Sequence, residues 1–449
     1  MAQYIVPLDK IDGQKRYEIV MLASGKAGDV VTQYNPLPTT AGGSTGDAFG
    51  RLRVSDEYTL GDHKHIYNSN SSTYNTLAVN GATIAYRTNE AAIRLSTGNN
   101  PAARAVQQTK MYHHYMPGKS QLIKASANFY AAVPGVTKRI GYYDDRNGIF
   151  LQQEGDGTLS FVIRTYVTGV AVDTRKVVQA DWNIDKCNGT GNSGFNIDIT
   201  KTQIFFTDFQ WLGVGRVRCG FVHDGETIVA HEFYNSNVLP TVYISSPNLP
   251  IRSEVLNTGA TTGGYMDQIC STVISEGGYA EAGVDFAVDG GIIAKNVTTS
   301  ADLPIVAIRL KNAFQGDLNR VVVRLLEASV YAESNAIIWK LVKLPNLAAL
   351  TLTNATWTAA HADSAVEYNL TGTAYTGGET LANGFSGASS PGGSVKGMGS
   401  ATEPSPTTSK RNFIAQNMDS TDSEIYVLAA RAIAGPATAW GALKWREIY

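Results

Sequence analysis

Cysteine is scarce in this chain: Cys187, Cys219 and Cys270 are the only three among 449 residues. An odd, widely spaced set builds no disulfide framework and suits synthesis in a reducing compartment. The three also lack zinc-finger spacing, and no His-Glu-x-x-His pattern occurs, so a metal enzyme of that kind is not expected. Charge is thin as well. Charged residues make up 17%, against roughly 25% in ordinary domains. They nearly cancel, 37 lysines and arginines against 39 acids, for a net charge of -2. That balance gives no general pull toward nucleic acid or anionic lipid. No apolar run is long enough to span a bilayer; AIIWKLVKLPNLAALTL is interrupted by Lys340, Lys343 and Pro345. The opening MAQYIVPLDKIDGQKRYEIV has no basic segment followed by an apolar stretch, so no signal peptide is expected. The sequons at Asn188 and Asn296 then carry little meaning. Short-period repeats and heptads are absent too, which excludes a solenoid or coiled coil.

What is abundant is material for sheets. Hydrophobic residues reach 43%, enough for large cores, and glycine, threonine, serine and asparagine take the place of charge. RIGYYDD, Asn147-Gly148, IFLQQ, EGDG and TLSFVIRTYV alternate apolar runs with Asn-Gly and Asp-Gly turns, a strong hairpin signal. QIFFTDFQWL, RVRCGFV and TIVAHEFY continue the series. The expectation is an all-β chain of two β-sandwiches of jelly-roll or lectin-like type behind an extended arm. Residues 1–50 form the arm, 51–280 the first sandwich and 281–449 the second. Glu276–Gly291 reads as a junction, and Ala313–Asn319 as a break between strands. Residues 371–411, rich in Gly, Ser, Thr and Pro, read as a long loop, which a neighbouring subunit would have to hold in place.

Candidate chemistry is sparse. DFQWLGVGRVRCGFVHDG (Asp208–Gly225) holds Gly213 and Gly215 at dinucleotide-loop spacing, but Arg218 occupies the third glycine position. The β-branched run that follows is no helix, so the glycines read as a turn. Gly118-Lys119-Ser120 has His113 where a phosphate loop needs its first glycine. Gly42-Gly43-Ser44-Thr45-Gly46 has the letters of a nucleophile elbow without a strand before it or a helix after it, and around Ser394 the pattern fails at Lys396. His63 and His65 would share one strand face, a start toward a metal site, but an exposed polar face is the plainer reading. His113 and His114 point to opposite sides. His223 and His231, flanking Asp224-Gly225, are expected on opposite sides of their hairpin. Asp144, Asp145, Glu154, Asp156, Asp208 and Glu232 are candidates for acid–base work on a glycan; Asp145–Gly148 and Glu154–Gly157 could hold calcium weakly but read as turns. Arg216 and Arg218 share a face, where a buried ion pair with Asp208 or Glu232, or a subunit contact, is expected. The 22 tyrosines suit interfaces and sugar platforms as well as half-buried sheet positions. No catalytic, cofactor or metal residue is nominated, and no cofactor is expected.

AFGRLRVSDEYTLGDHKHIY (Ala48–Tyr67) and the block Asp181–Gly225 resemble recurrent motifs of structural proteins from tailed bacteriophages. YISSPNLPIRSEVLNTG, QICSTVISEGGY and the ending ALKWREIY follow in that family's order. The resemblance covers Ala48–Gly278 well and the rest loosely, and residues 1–47 match least. It implies a non-enzymatic virion component made in the host cytoplasm, a fibre or appendage on tail, baseplate, neck or head. Its partners would be itself, as a homo-oligomer with a trimer favoured, and other virion proteins. Host surface glycan is a further expected partner if the chain is a receptor-binding module. A depolymerase tailspike is the third reading, disfavoured by the absent repeats.

Overall fold

The computed structural model describes residues 56–259, 262–291, 294–345, 352–387, 394–396 and 413–449. The expected arm (1–50) lies outside them, as do the Gly42–Gly46 elbow and most of 388–412. The described residues are all-β in antiparallel sheets, with a single 3-10 turn at Gln179–Asp181 and no α-helix.

The first sandwich comprises β1 (Tyr58–Lys64), β2 (Tyr74–Val79), β3 (Thr83–Arg87), β4 (Ala92–Ser96), β5 (Arg104–Thr109), β6 (Gln121–Asn128), β7 (Val136–Tyr143), β8 (Gly148–Gln153), β9 (Leu159–Thr165), β10 (Val172–Val178), β11 (Thr202–Phe209), β12 (Val217–His223), β13 (Glu226–Phe233), β14 (Ile251–Asn257) and β15 (Tyr265–Ser275). One sheet runs β13-β12-β11-β6-β15-β4-β3 with β1 added on β15, and the other β10-β9-β8-β7-β14-β5-β2. Alternation decides which face is buried. Phe205 and Phe209 of β11, Ile140 and Tyr142 of β7, and Ile251 and Val255 of β14 all meet in one core. Their neighbours Asp208, Arg139, Arg252 and Glu254 therefore face outward.

Turn chemistry fixes the registers. Asp144 Oδ1 accepts the backbone N–H groups of Arg146 and Asn147, both at 2.8 Å, which brings Tyr143 opposite Gly148. Gly148 has φ 144°, and a Cβ there would overlap Tyr143. Gly148→Ala is therefore expected to cost about 1–3 kcal/mol in denaturant unfolding. Asp224 and Gly225, at φ 49° and 85°, form the two-residue turn that pairs His223 with Glu226. In β13 the register shifts by one residue, so that Cys219 pairs with His231 while Gly220 pairs with Val229. The bulge reverses the side-chain parity at its position. His223 and His231 consequently share a side, against the expectation, and pack on different rings, Phe195 and Phe233.

The strands of the second sandwich run from Val284 to Ile448. One sheet is built around Ala437–Ile448 and Val322–Glu333, the other around Leu303–Leu310, Ile425–Ala432 and Ile337–Leu344, and their inner faces share a core that includes Trp445 and Trp339. Three expectations need correction here. The supposed junction contains a strand, Val284–Asp289, paired with Ala442–Glu447. The supposed loop 371–411 contains Glu379–Ser386, an edge strand on Ile337–Lys343. Ala313–Asn319 holds a miniature hairpin turning at Gln315 and Gly316, both at positive φ. In the first two cases a neighbouring sheet edge supplies hydrogen bonds that local composition does not reveal, and in the third the segment pairs with itself.

The sandwiches meet through a mixed seam. Met111 packs against a small cluster of Val322, Phe413, Ala415 and Ile448. Beside it, the Glu424 carboxylate takes Lys110 Nζ on one oxygen and Lys343 Nζ on the other, each at 2.8 Å. Asn75 Nδ2 donates to the Gln416 carbonyl at 2.7 Å, and Arg146 pairs with Asp317.

Candidate binding groove

The outer face of the seven-stranded sheet carries an unusual layer. Tyr143, Phe150 and Val162 form a fully buried cluster on that face, apart from the main core. What lies over the rings is guanidinium. Arg139 and Arg164 sit 5.5 and 5.2 Å from the Phe150 centroid, and Arg252 sits 5.5 Å from that of Tyr143. Flat cations over aromatic faces are favourable and hold the guanidinium planes in place.

Glu254, on β14, is the anion at the centre of this layer, with its side chain 2% exposed. Cross-strand register puts Arg139 directly opposite it. Arg104 Nε donates to it at 3.0 Å, Arg139 Nη1 stands at 3.6 Å and Arg252 Nη1 at 3.9 Å. Burial alone would raise the Glu254 carboxyl, but Arg104, Arg139 and Arg252 outweigh it and hold it below the usual carboxylate range. Asp145 bridges Arg252 and Arg104 at 2.6 and 2.7 Å. Burial acts on it in the same upward direction, and the two cations again prevail, leaving it well below its ordinary value.

Above this floor lies an open groove of about 650 Å³, walled by Arg104, Arg139, Arg164, Glu254 and the β9–β10 connection. A cavity of about 780 Å³ adjoins it, between the two sandwiches. Arg104 and Asp145 line both, so the two spaces are neighbours on one surface. Lys110, Lys343 and Glu424 lie in the wall of the second.

Of the candidate residues read from sequence, Asp145 lines this groove and the others lie elsewhere. On the outer face of the eight-stranded sheet, Arg218 stands in register between Asp208 and Glu232. It pairs with Asp208, while Arg216 reaches Glu232 at 3.4 Å. Asp208 and Glu232 are mostly covered, whereas Arg218 is partly and Arg216 largely exposed. Of the other carboxylates, Glu154 pairs with Lys176, Asp156 caps the Thr158 N–H at 2.9 Å, and Asp144 caps its turn. Gly213, at φ 76°, and Gly215 shape the β11–β12 turn, in which a Cβ on Gly215 would collide with the Gln210 carbonyl. Lys119 and Ser120 lead into β6, and Lys119 Nζ donates to the Gly278 carbonyl at 3.3 Å. The tyrosines divide between core positions such as Tyr142 and exposed ones such as Tyr67 and Tyr234.

Sequence reading passed over Arg104, Arg139, Arg164, Arg252 and Glu254. A signal was present: each sits next to a residue of the main core in its strand, as Arg252 and Glu254 adjoin Ile251 and Val255 in IRSEVLN. Four arginines on one predicted sheet face form a pattern that only strand order can assemble.

His63 and His65 are buried, not on the exposed strand face expected of them. His63 Nε2 faces His113 Nε2 at 3.3 Å, and His65 Nε2 meets Gln268 at 2.8 Å. Both His63 and His65 pack near Tyr74. Among the described residues no group of three or more His, Cys, Asp or Glu side chains is arranged to hold a metal. Burial lowers His65 and His114, and burial together with Arg175 lowers His231 to about 4. Burial also pushes the Cys187 and Cys219 thiols up to about 12, away from nucleophilic use near neutrality. The histidine shifts have one sign. The folded state keeps these rings neutral, while the unfolded chain protonates them near pH 6.5. Stability is therefore full above that pH and falls as pH drops toward 4. For His231 the loss amounts to about 3 kcal/mol at most. Melting temperatures at pH 7, 5.5 and 4 should fall in that order, and His231→Gln should flatten part of the slope.

No known protein-family model matches the chain, and no curated protein matches it in sequence. Solved structures do match. A protein of unknown function from Shewanella oneidensis MR-1 aligns at 10% identity and TM-score 0.32, over 52% of this chain and 92% of that one. A legume lectin-like domain from Entamoeba histolytica aligns at 8% identity and TM-score 0.29, over 51% of this chain and all of its own. A Bacteroides ovatus mixed-linkage glucan GH16 protein, solved with a product bound, aligns at 9% identity and TM-score 0.32, over 47% and 98%. What those proteins bind or cut is their own property; the architecture of this chain is read from its own sheets.

Proposed function

We propose that the chain is a non-enzymatic structural subunit of a tailed-bacteriophage particle, a fibre or appendage component on tail, baseplate, neck or head. The observation that carries the reading is the seam. Two sandwiches joined by a covered lysine–glutamate–lysine bridge and an apolar cluster resist hinging. An appendage under mechanical load needs that rigidity, and the Ala48–Tyr67 and Asp181–Gly225 blocks resemble proteins of that kind. The fate of the candidate carboxylates supports it too. All six are engaged by a cation or a backbone amide. Self-association, with a trimer favoured, and contacts with other virion proteins belong to the same proposal.

Mass spectrometry and antibody labelling of purified particles test it. The chain should be present in every particle at fixed stoichiometry, on one substructure. Its absence from particles would sink the reading.

A second reading, glycan binding, is favoured by a specific observation: one sheet face is left open as a groove above an ordered floor. A glycan array on the purified chain tests it, and no retained glycan at any concentration would reject it.

A further inference from the structure

We infer that the groove over β5, β14, β7, β8 and β9 binds an acidic polysaccharide, holding one of its carboxylate or sulfate groups on Arg139. The inference rests on the glycan-binding reading and names the class of glycan.

The first ground is a charge count. Arg104, Arg139 and Arg164 line the groove with Asp145, Asp173 and Glu254, and Arg252 lies wholly buried beneath them, paired with Asp145. Four positive charges against three negative leave one positive charge. The nearby Lys176 and Arg146 do not alter the count, because Glu154 and Asp317 neutralise them.

The second ground locates the excess. Arg164 is spent on Asp173, with Nε at 2.8 Å and Nη2 at 3.1 Å, and on the Asp144 carbonyl. Arg252 forks onto Asp145 at 2.6 and 3.3 Å and donates to Gln108 at 2.8 Å. Arg104 divides between Glu254 and Asp145. Arg139 differs: its hydrogen bond goes from Nε to the neutral Gln152 amide oxygen. Its Nη1 lies 3.6 Å from Glu254, an electrostatic contact without a hydrogen bond. Both Nη groups therefore lack an acceptor among the described residues, on a side chain only 15% exposed. A guanidinium stripped of most of its water, with a free pair of donors, gains from an oxyanion that accepts both.

The third ground is preorganisation. Phe150 lies beneath the Arg139 plane and Gln152 fixes Nε, so the fork is already aimed before any ligand arrives. Arg139 stands on the central strand of the seven. From β5 to β9 the groove crosses four inter-strand spacings, about 19 Å, and the aliphatic surfaces of Ala171, Val172 and Leu256 line its wall. That combination suits a chain of sugar rings with widely spaced anions. A nucleic acid carries a phosphate on every nucleotide and calls for several uncompensated cations; this surface has one.

Binding of the full chain to oligogalacturonate, dextran sulfate, neutral dextran and single-stranded DNA is the test, read by calorimetry at low salt. Oligogalacturonate or dextran sulfate should bind, and the two arms separate carboxylate from sulfate. Arg139→Gln should weaken that binding about tenfold. Ala171→Asp, an exposed substitution that places a negative charge on the groove wall, should weaken it similarly without altering the melting temperature. Lys64→Gln, on exposed β1 surface, should change nothing. Should Arg139→Gln fail to fold, Ala171→Asp decides. Equal binding of neutral dextran overturns the acidic class while leaving the glycan reading intact. No binding of any glycan overturns both. Binding of DNA alone, or acidic-glycan binding that neither groove variant weakens, also overturns the inference.

Discussion

Glu424→Ala is expected to destabilise the protein by about 3–5 kcal/mol and to split its unfolding into two steps. The carboxylate is 2% exposed and serves two ammonium groups, themselves 6% and 10% exposed, while also accepting the Ala415 N–H at 3.0 Å. Without it, Lys110 and Lys343 would face each other across the seam with no counter-charge. Each sandwich keeps its own core, so the damage falls on their coupling. Denaturant unfolding followed separately in each half should show coincident transitions in the wild type and displaced ones in the variant. The combination Lys110→Met, Glu424→Leu and Lys343→Met should recover most of the loss, because apolar side chains of similar volume can replace a buried ion cluster. If Glu424→Ala unfolded in a single transition within 1 kcal/mol of wild type, the seam would not couple the sandwiches.

A comparable loss, about 3–5 kcal/mol, is expected for Glu254→Ala. Arg252 is wholly buried and Arg104 and Arg139 largely so; removing Glu254 leaves three guanidiniums with one shared partner, Asp145, which Arg139 does not reach. Glu254→Gln separates charge from packing by keeping the shape. Asp145→Asn should cost less, since its side chain is 53% exposed and water screens the exchange. The pH dependence follows from the signs. Glu254 and Asp145 titrate lower in the folded state than in the unfolded one, so their contribution is complete above about pH 5, beyond the unfolded values, and fades as pH falls through their folded values. Wild type and Glu254→Gln should therefore differ most near neutrality and converge in strong acid, which melting curves from pH 7 to pH 2 would reveal.

How much of this could be read from the sequence depended on distance along the chain. The turns at Asn147-Gly148 and Asp224-Gly225 are local, and their hairpins were legible because φ preference and alternation act within a few residues. The sandwich class followed from the same signals. One extra residue in β13 escaped, and it reversed the predicted relation of His223 and His231. Glu379–Ser386 has loop composition, yet it lies as an edge strand because its neighbour's backbone is available. Lys110 and Glu424 are 314 positions apart, and nothing in either segment announces the other. The groove shared that difficulty. Arg104, Arg139, Arg164 and Glu254 come from four strands, and their meeting depends on β14 entering between β5 and β7. The proposed virion role has a different basis: it rests on the resemblance of two sequence blocks, with the rigid seam as its structural support.

That late insertion of β14 has a temporal side. β14 and β15, the last strands of the first sandwich, occupy interior positions of their sheets: β14 lies between β7 and β5, and β15 between β6 and β4. During synthesis the hairpins from β7 to β10 can pair as soon as they emerge, but residues 251–275 must arrive before either sheet closes. Until then the nascent chain carries two gaps whose flanking strands present unpaired edges, the surfaces most prone to capture by other chains. Closure also waits on contacts between β5 and β14 about 150 residues apart, a topology that folds slowly. The yield of soluble protein should therefore respond to translation speed and chaperone supply more sharply than its final stability suggests.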